Sequence, residues 1–343
     1  MSPAKRVTIA DIARMAGVSP GAVSFALNGR PGVSEETRQR ILAIVEENGW
    51  QPSSAARALV GARANTVGFA LARPARSLGS EAFFTDLIAG IESRLSESKV
   101  SLQLRLVADT AEEMEVHRQW RSSNQVDGFI FIDPRDDDPR ADRIAALDAR
   151  AVMIGSKPAP DGTVPSVWIG DDTVAETLYS YLAALGHTHI AYVAGPAELE
   201  HTRLRAEVLE RLAADGVGGE VITTDFSPAR ASAVTRALLS GKRRPTAIVY
   251  DNDVMAVAGL RVAQEMGRRV PLDVSLASFD DSVIAGLINP SITAMTRDTF
   301  ELGERAATLL LQQIEAGANL SSVEGPTPVL TVRESTAPPS RTD

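Results

Sequence analysis

The sequence predicts an N-terminal all-α head followed by an α/β body built from two parallel-sheet halves. Three observations predict it. Residues 8–49 carry three helix starts with apolar stripes and no alternating strand pattern. From about residue 66 the pattern changes to short apolar runs separated by longer amphipathic stretches. The charge divides near the same place: residues 1–63 hold eight Lys/Arg against five Asp/Glu, or +3, which leaves −12 on the remainder of a chain of net charge −9.

At 343 residues and 44% apolar composition the chain is long enough for two or three folding units with well-filled cores. It has no cysteine, which excludes disulfides, thiolate zinc sites and cysteine nucleophiles. No apolar run approaches the roughly 20 residues of a membrane span, and the start at Met1-Ser2-Pro3-Ala4-Lys5-Arg6 leads into a polar amphipathic segment. The expectation is a cytoplasmic protein with no membrane partner. A mildly basic head on an acidic body suits a head that approaches phosphates, because screening leaves only local charge effective beyond about 8 Å.

In the head, Thr8 precedes the periodic run Ile9, Ile12, Ala13 and Ala16, with Asp11 at the third helical position, a capping-box pattern. Gly17 ends that helix. Ser19-Pro20 starts a second, with Ala22, Val23, Ala26 and Leu27 on its apolar face. Two helices joined by about three residues at a glycine make a helix-turn-helix. Ser34-Glu35-Glu36-Thr37 opens a third helix with the stripe Ile41, Leu42, Ile44 and Val45, ending at Asn48-Gly49. The segment from Pro52 to Leu59, with two serine caps and alanines, is too short to be helical alone in water and is expected to fold only against a partner.

In the body, 67–71, 102–107, 128–132, 152–154 and 167–169 read as strands of one half, and 190–194, 220–223, 247–250 and 275–279 as strands of the other. Strand-helix alternation implies parallel sheets covered on both faces, which bind ligands at the carboxyl ends of their strands. Two facing lobes therefore create a cleft lined by strand-end loops. Asn252 and Asp280 follow predicted strands and so face that cleft, and Arg205 stands at the start of a helix after Ala194-Gly195-Pro196. Aromatic residues make up only 5% of the chain. Phe83, Trp168, Tyr250 and Phe279 are candidates either to stack on a ligand in the cleft or to fill the core.

VTIADIARMAGVS at 7–19, AVSFALNGRPGVSEETR at 22–38, and GWQP at 49–52 followed by AARAL resemble the head and hinge of the LacI/GalR family of bacterial transcription regulators. The resemblance continues through FFTDLIAGIE, AALGHTHIAYVAGP, TAIVYDNDVMA, DVSLASFDD and PSITAMTRD, over most of the chain. It implies two interleaved lobes of periplasmic-binding-protein type, and a sequence divided into a head at 1–51, a hinge helix and linker at 52–63, a body at 64–335 and a disordered tail at 336–343. Lobe one then comprises about 64–168 and 297–320, and lobe two about 170–295 and 321–335, with crossings near Gly170, Thr293 to Arg297 and Leu320.

The function implied is a repressor that binds a pseudo-palindromic operator as a homodimer, its affinity modulated by a small-molecule effector, a sugar or sugar derivative. By resemblance the second helix enters the major groove with Pro20, Gly21 and Phe25 at the reading positions. None of the three makes a bidentate base contact; Phe25 either presses on a thymine methyl or packs. Thr8, Ser19, Ser24, Asn28, Ser34 and Thr37 are the phosphate-contact candidates. Sequence preference then leans on DNA shape and on the hinge. There, Ala56 and Arg57 accompany Leu59, the candidate wedge between base steps.

By resemblance, Arg205, Asn252, Asp280 and Arg297 stand at effector-contacting positions. Arg297 replaces the glutamine common in the family, which would favour an acidic or phosphorylated sugar if it faces the ligand, and Gly155-Ser156 stands where members often carry an acid.

Other chemical signals are weak. His187 and His189 in LGHTHI lack a third metal ligand and are read as a helix end. The run 133–139, with four aspartates, lacks calcium-loop spacing and is read as a solvated turn. No phosphate-binding fingerprint, nucleophile elbow or catalytic triad is evident. No cofactor, metal or enzymatic activity is expected, and the polar tail has no coiled-coil heptads. Replacing Leu59 with Ala should weaken operator binding and leave ligand binding unchanged; equal operator affinity of the two proteins in a gel shift would refute the wedge.

Overall fold

The computed structural model describes residues 7–27, 29–50, 63–74, 77–79, 81–155, 157–158 and 164–340. The chain divides into two compact units, Met1–Ala64 and Asn65–Asp343. The expected hinge helix at 52–63 lies almost wholly outside the described residues, as do Asn28, Ala56, Arg57, Leu59 and Ser156.

The first unit contains α1 (Ile9–Ala16), α2 (Pro20–Leu27) and α3 (Glu35–Glu47). Thr8 caps α1 by accepting from the Asp11 amide at 3.3 Å, while the Asp11 carboxylate accepts from the Thr8 amide at 3.0 Å. Together they satisfy two free helix-end donors. Gly17 ends α1 at φ 66°, a left-handed conformation that costs glycine little. Ser34 caps α3 through the Thr37 amide. Ile12, Ala13, Ala16, Val23, Ala26 and Ile41 form the buried core, with Val33, Val45 and Trp50 packed against it. This is the helix-turn-helix that the apolar stripes predict.

The second unit alternates strand and helix. Its first part runs β1 (Thr66–Leu71), α4 (Ala82–Glu97), β2 (Ser101–Leu106), α5 (Thr110–Ser122), β3 (Gly128–Phe131), α6 (Pro139–Ala146), β4 (Arg150–Gly155) and β5 (Ser166–Trp168). The next runs α7 (Asp171–Ala184), β6 (His189–Ala194), α8 (Glu200–Leu212), β7 (Gly218–Thr223), α9 (Pro228–Ser240), β8 (Ala247–Tyr250), α10 (Asp253–Glu265), β9 (Ser275–Ser278), α11 (Val283–Leu287) and β10 (Thr293–Thr296). The chain closes with α12 (Thr299–Ala316), β11 (Val323–Glu324) and β12 (Val329–Thr331).

Two six-stranded sheets result, ordered β11-β5-β4-β3-β1-β2 and β12-β10-β9-β8-β6-β7. Every pairing is parallel except β10 with β12. Every body strand expected from apolar runs is present. β10, β11 and β12 are additional, and the last two are two or three residues long with side chains too exposed to leave an apolar signature.

Two expectations need correction. The last crossing between lobes lies between Glu324 and Val329, not near Leu320, because Val323 and Glu324 still pair with Val167 and Trp168. Residues 336–340 of the tail are also held to lobe two. The Thr336 hydroxyl bonds those of Tyr181 and Thr293, each at 2.8 Å, and the Ala337 backbone exchanges two 3.1 Å hydrogen bonds with Ser275 Oγ. Ser340 Oγ donates to the Leu272 carbonyl. His187 belongs to the same attachment, bonding Thr246 Oγ1 at 2.9 Å and the Ala337 carbonyl at 3.0 Å. A polar, proline-rich composition gives no hint of these partners.

Lobe one is braced where α4 crosses α12. A Cβ on Gly90 would stand 2.0 Å from the Phe300 carbonyl oxygen, and one on Gly303 would stand 2.4 Å from that of Leu87. Both obstacles are backbone, so neither can swing away. Gly303→Ala is therefore expected to lower unfolding free energy by about 1–3 kcal/mol, the usual cost of overpacking. Urea denaturation checks this, and an unchanged midpoint would contradict the close crossing.

Candidate functional site

The carboxyl ends of both sheets face one cavity of about 650 Å³, including its solvent-open mouth. Lobe one lines it with Arg73 beyond β1, Glu81, Phe83 and Phe84 at the start of α4, Asp133 beyond β3, and Gly155 at the end of β4. Lobe two contributes His201 and Arg205 of α8, Phe226 beyond β7, Asp251 and Asn252 beyond β8, and Asp280 beyond β9. Asp171 and Arg297 come from segments that join the lobes.

The floor is a buried charge network. Arg205 is 4% exposed and donates to Asp171 Oδ1 from Nη2 at 2.5 Å and to Asp251 Oδ1 from Nη1 at 2.6 Å. Its guanidinium lies 4.5 Å from the centre of the Phe279 ring. The Tyr192 hydroxyl and the Gly195 amide also donate to Asp251, at 2.5 and 3.0 Å. Gly195 is required there, since a Cβ would meet Phe226 at 2.2 Å and Asp251 Oδ2 at 2.7 Å.

Burial raises the Asp251 and Asp171 carboxyls, but Arg205 and His201, joined by the Tyr192 hydroxyl at Asp251 and by Arg297 at Asp171, together outweigh it and hold both below the ordinary carboxylate range. At Asp280 and Glu81 the balance goes the other way. Burial raises Asp280 against the opposing pull of Arg297 and Arg205, and it pushes Glu81 up to about 7 against that of Arg73.

Of the sequence-chosen effector residues, Phe83, Arg205, Asn252, Asp280 and Arg297 line the cavity. Asn252 caps α10 by accepting from the Met255 amide at 2.8 Å, and its buried Nδ2 is left without a partner among the described residues. Arg297 pairs with Asp280 at 3.3 Å and donates to the Phe279 carbonyl at 3.1 Å. Its charge is thus already matched, which removes the reason for expecting an acidic or phosphorylated ligand. Phe279, Tyr250 and Trp168 do not line the cavity. Phe279 and Tyr250 are fully buried, Phe279 packing edge-on against Tyr179 and Tyr192. Trp168 is occupied in the edge pairing of β5 with β11.

The acidic run is not simply a solvated turn. Asp133 lines the cavity and binds Arg73 at 2.8 Å. Asp138 caps α6 and holds the buried Arg140 at 2.6 Å. Between them the turn straps the lobes together. The Pro134 carbonyl accepts from the Glu200 amide at 2.9 Å, Arg135 bridges Leu199, and Asp136 pairs with Arg203 at 2.8 Å. Sequence reasoning missed Arg73, Glu81, Asp133, Asp171, His201, Phe226 and Asp251, although for Arg73, Asp133, Asp171, Phe226 and Asp251 a position within three residues of a strand end was a usable signal. Among the described residues no cluster of ligating side chains could hold a metal, and no helix is long and apolar enough to cross a membrane.

In the head, Ser19, Pro20 and Gly21 are exposed at the start of α2, and Phe25 is exposed in its second turn. Phe25 is 41% exposed and lies against Gly32, whose Cβ position is 3.2 Å from the ring. Thr8, Ser19, Ser34 and Thr37 are all engaged in helix-cap hydrogen bonds, and Ser24 is half-buried.

A family model described as bacterial regulatory proteins, lacI family, matches residues 8–53, and one described as periplasmic binding protein-like domain matches residues 179–336. The HTH-type transcriptional regulator CelR of Thermobifida fusca is 30% identical over 322 residues, covering 92% of this chain and 94% of that protein. A solved transcriptional regulator CelR–cellobiose complex is similar at 28% identity and TM-score 0.72, covering 96% of this chain and all of that one. The lac repressor dimer bound to operator and the anti-inducer ONPF is similar at 26% identity and TM-score 0.81, covering 97% of this chain and all of that one.

Removing the central cation strands two buried carboxylates. Arg205→Ala is expected to cost about 3–5 kcal/mol of stability at neutral pH. Asp171 and Asp251 are depressed in the folded protein, so wild type keeps their contribution down to the ordinary carboxylate range and loses it only below that range, as pH falls toward their lowered folded values; in the variant, burial without the cation raises both carboxyls, and they take up protons as pH falls from 7. The gap between wild type and variant should therefore narrow from pH 7 to pH 4 in urea titrations; a gap independent of pH would contradict the network.

Proposed function

The chain belongs to the LacI family of bacterial regulatory proteins, and from that premise we propose that it represses transcription by binding operator DNA as a homodimer and responds to a sugar or sugar derivative in its cleft. It acts in the cytoplasm, and as a regulator, not an enzyme. The observation that carries the reading is the combination, in one chain, of an exposed helix-turn-helix face with a cleft lined by paired polar groups, Asn252 and Asp280 among them.

In this reading α2 lies in the major groove with Pro20, Gly21 and Phe25 towards the bases, while Thr8, Ser19, Ser24, Asn28, Ser34 and Thr37 approach phosphates. Ala56, Arg57 and Leu59 act in the hinge. Arg205, Asn252, Asp280 and Arg297 contact the effector, with Phe83 as the aromatic wall. The known partner classes of the similar proteins support this: cellobiose in the CelR complex, and operator with an anti-inducer in the lac repressor dimer.

Dimerisation needs an apolar face, and α11 offers one. Val283, Ile284 and Leu287 are 77%, 59% and 80% exposed, an arrangement that a monomer in water would not favour. A two-fold protein then matches a two-fold operator.

Gel shift against the DNA upstream of the chain's own gene tests the function; retardation of a pseudo-palindromic fragment is expected, and indifference to all such fragments would end the proposal. Leu287→Asp should yield monomers in analytical ultracentrifugation and weaken operator binding by roughly a hundredfold through lost bivalency. A variant that stays dimeric would exclude α11 from the interface.

A further inference from the structure

Formal charge in the cleft is unbalanced. Its three guanidiniums are each committed: Arg73 to Asp133 at 2.8 Å, Arg205 to Asp171 and Asp251, and Arg297 to Asp280. Five carboxylates line the same cavity, so the acids exceed the guanidiniums by two. His201, 3.7 Å from Asp251, offsets one of these only when protonated.

The unmatched carboxylate is Glu81. It stands at the N-cap of α4, where an acidic side chain ordinarily accepts from the helix amides, yet it makes no capping bond. It has no hydrogen bond or ion pair among the described residues, and it lines the cavity beside Phe83 and Phe84. Among the described residues, two buried donors of the same cavity lining lack acceptors, Asn252 Nδ2 and Arg297 Nε. Asn252 is only 3% exposed. The complement of this wall is a molecule that offers hydroxyl oxygens on one side and positive charge on the other.

We infer that the effector is an amine-bearing sugar, and that Glu81 is the specificity-determining carboxylate that receives its ammonium group. The inference rests on reading the cleft as the effector site and names the ligand class within it. A sugar phosphate or sugar acid would bring negative charge to a cavity with no uncommitted guanidinium. A neutral sugar would satisfy Asn252 and Arg297 but leave the surplus of carboxylates in place.

Burial above all, with Asp280, Asp133 and Asp253 as like charges and Arg73 opposing, lifts the Glu81 carboxyl to about 7. At neutral pH it is therefore partly protonated, and a ligand ammonium takes the place of that proton. Binding of a strongly basic amine should tighten as pH rises through 7. The other charged groups facing this space, Arg205, Arg297, His201, Asp171 and Asp251, are shared by all ligands of a matched set.

The test uses matched sets for several hexoses and disaccharides, each with the neutral sugar, its 6-amino-6-deoxy derivative and its 6-phosphate. Titration calorimetry and thermal shift are performed on the full-length chain. The expected result is at least one amino sugar bound tenfold or more tightly than its neutral parent, no binding of its phosphate, and an affinity that rises between pH 6 and pH 8. Glu81→Gln should reduce the amine's advantage to less than threefold and abolish its pH dependence, with a midpoint for unliganded unfolding no lower than wild type as the folding control.

Preferred binding of a neutral or phosphorylated member, no binding of any amino sugar, or an amine preference unchanged in Glu81→Gln would each overturn the inference. Gel shift on the same samples separates the two failures. If a neutral sugar alters operator affinity, sensing stands and the ammonium assignment falls; if no operator is bound, the regulator reading itself fails.

Discussion

The cleft is organised around one buried cation. Arg205 joins Asp171, the first residue of the helix that opens lobe two, to Asp251 at the end of a central strand, while its face rests on Phe279. A guanidinium taken out of water is tolerated only when its donors are met, and these carboxylates meet them. The same network orders the neighbouring backbone: Asp251 takes the Gly195 amide and the Tyr192 hydroxyl, which sets the β6 loop, and the next residue, Asn252, caps α10. The cleft is thus preorganised before any ligand is considered.

Around that floor the two lobes touch through the turn at 133–138 and the start of α8. The contacts are a backbone hydrogen bond, a short antiparallel bridge and a half-exposed ion pair between Asp136 and Arg203. Exposed pairs of this kind are each worth under about 1 kcal/mol, so the strap is weak enough for a ligand to compete with or reinforce. Arg73 also spans the mouth, paired with Asp133 on lobe one and 4.3 Å from the centre of the Phe226 ring on lobe two. In the proposed reading, a ligand held by Asn252 and Asp280 on one lobe and Phe83 on the other would bias the same equilibrium. That is the element through which the cleft can influence how the chain pairs and, through pairing, how a two-headed protein holds DNA.

Much of this was legible in the amino-acid order because the governing forces are local. The 3.6-residue stripes of the head, the Thr8–Asp11 cap and the Gly17 terminus act within one turn, and buried parallel strands read as continuous apolar runs. Asn252 and Asp280 came from the family resemblance, and their places just beyond predicted strands agree with the cavity they line. What escaped depended on partners distant in sequence. Asp133 and Asp138 read as solvated because nothing nearby announces Arg73 or the burial of Arg140. The tail read as disordered because its hydrogen-bond partners, Ser275, Thr293 and Tyr181, lie on three separate elements of lobe two. Phe279 was misjudged because a strand-end aromatic can face the cleft or the core, and only the packing of Tyr179 and Tyr192 decides it.

The central claim is that cleft and head are thermodynamically linked, so that each ligand changes the affinity of the other by the same factor. The direct measurement is a closed cycle on the intact protein: operator affinity by fluorescence anisotropy with and without a cleft ligand, and ligand affinity by calorimetry with and without operator. The account predicts two equal factors, in the range of roughly 5- to 150-fold typical of such coupling. Two factors indistinguishable from one, for a ligand shown to occupy the cavity at Asn252 and Asp280, would contradict it.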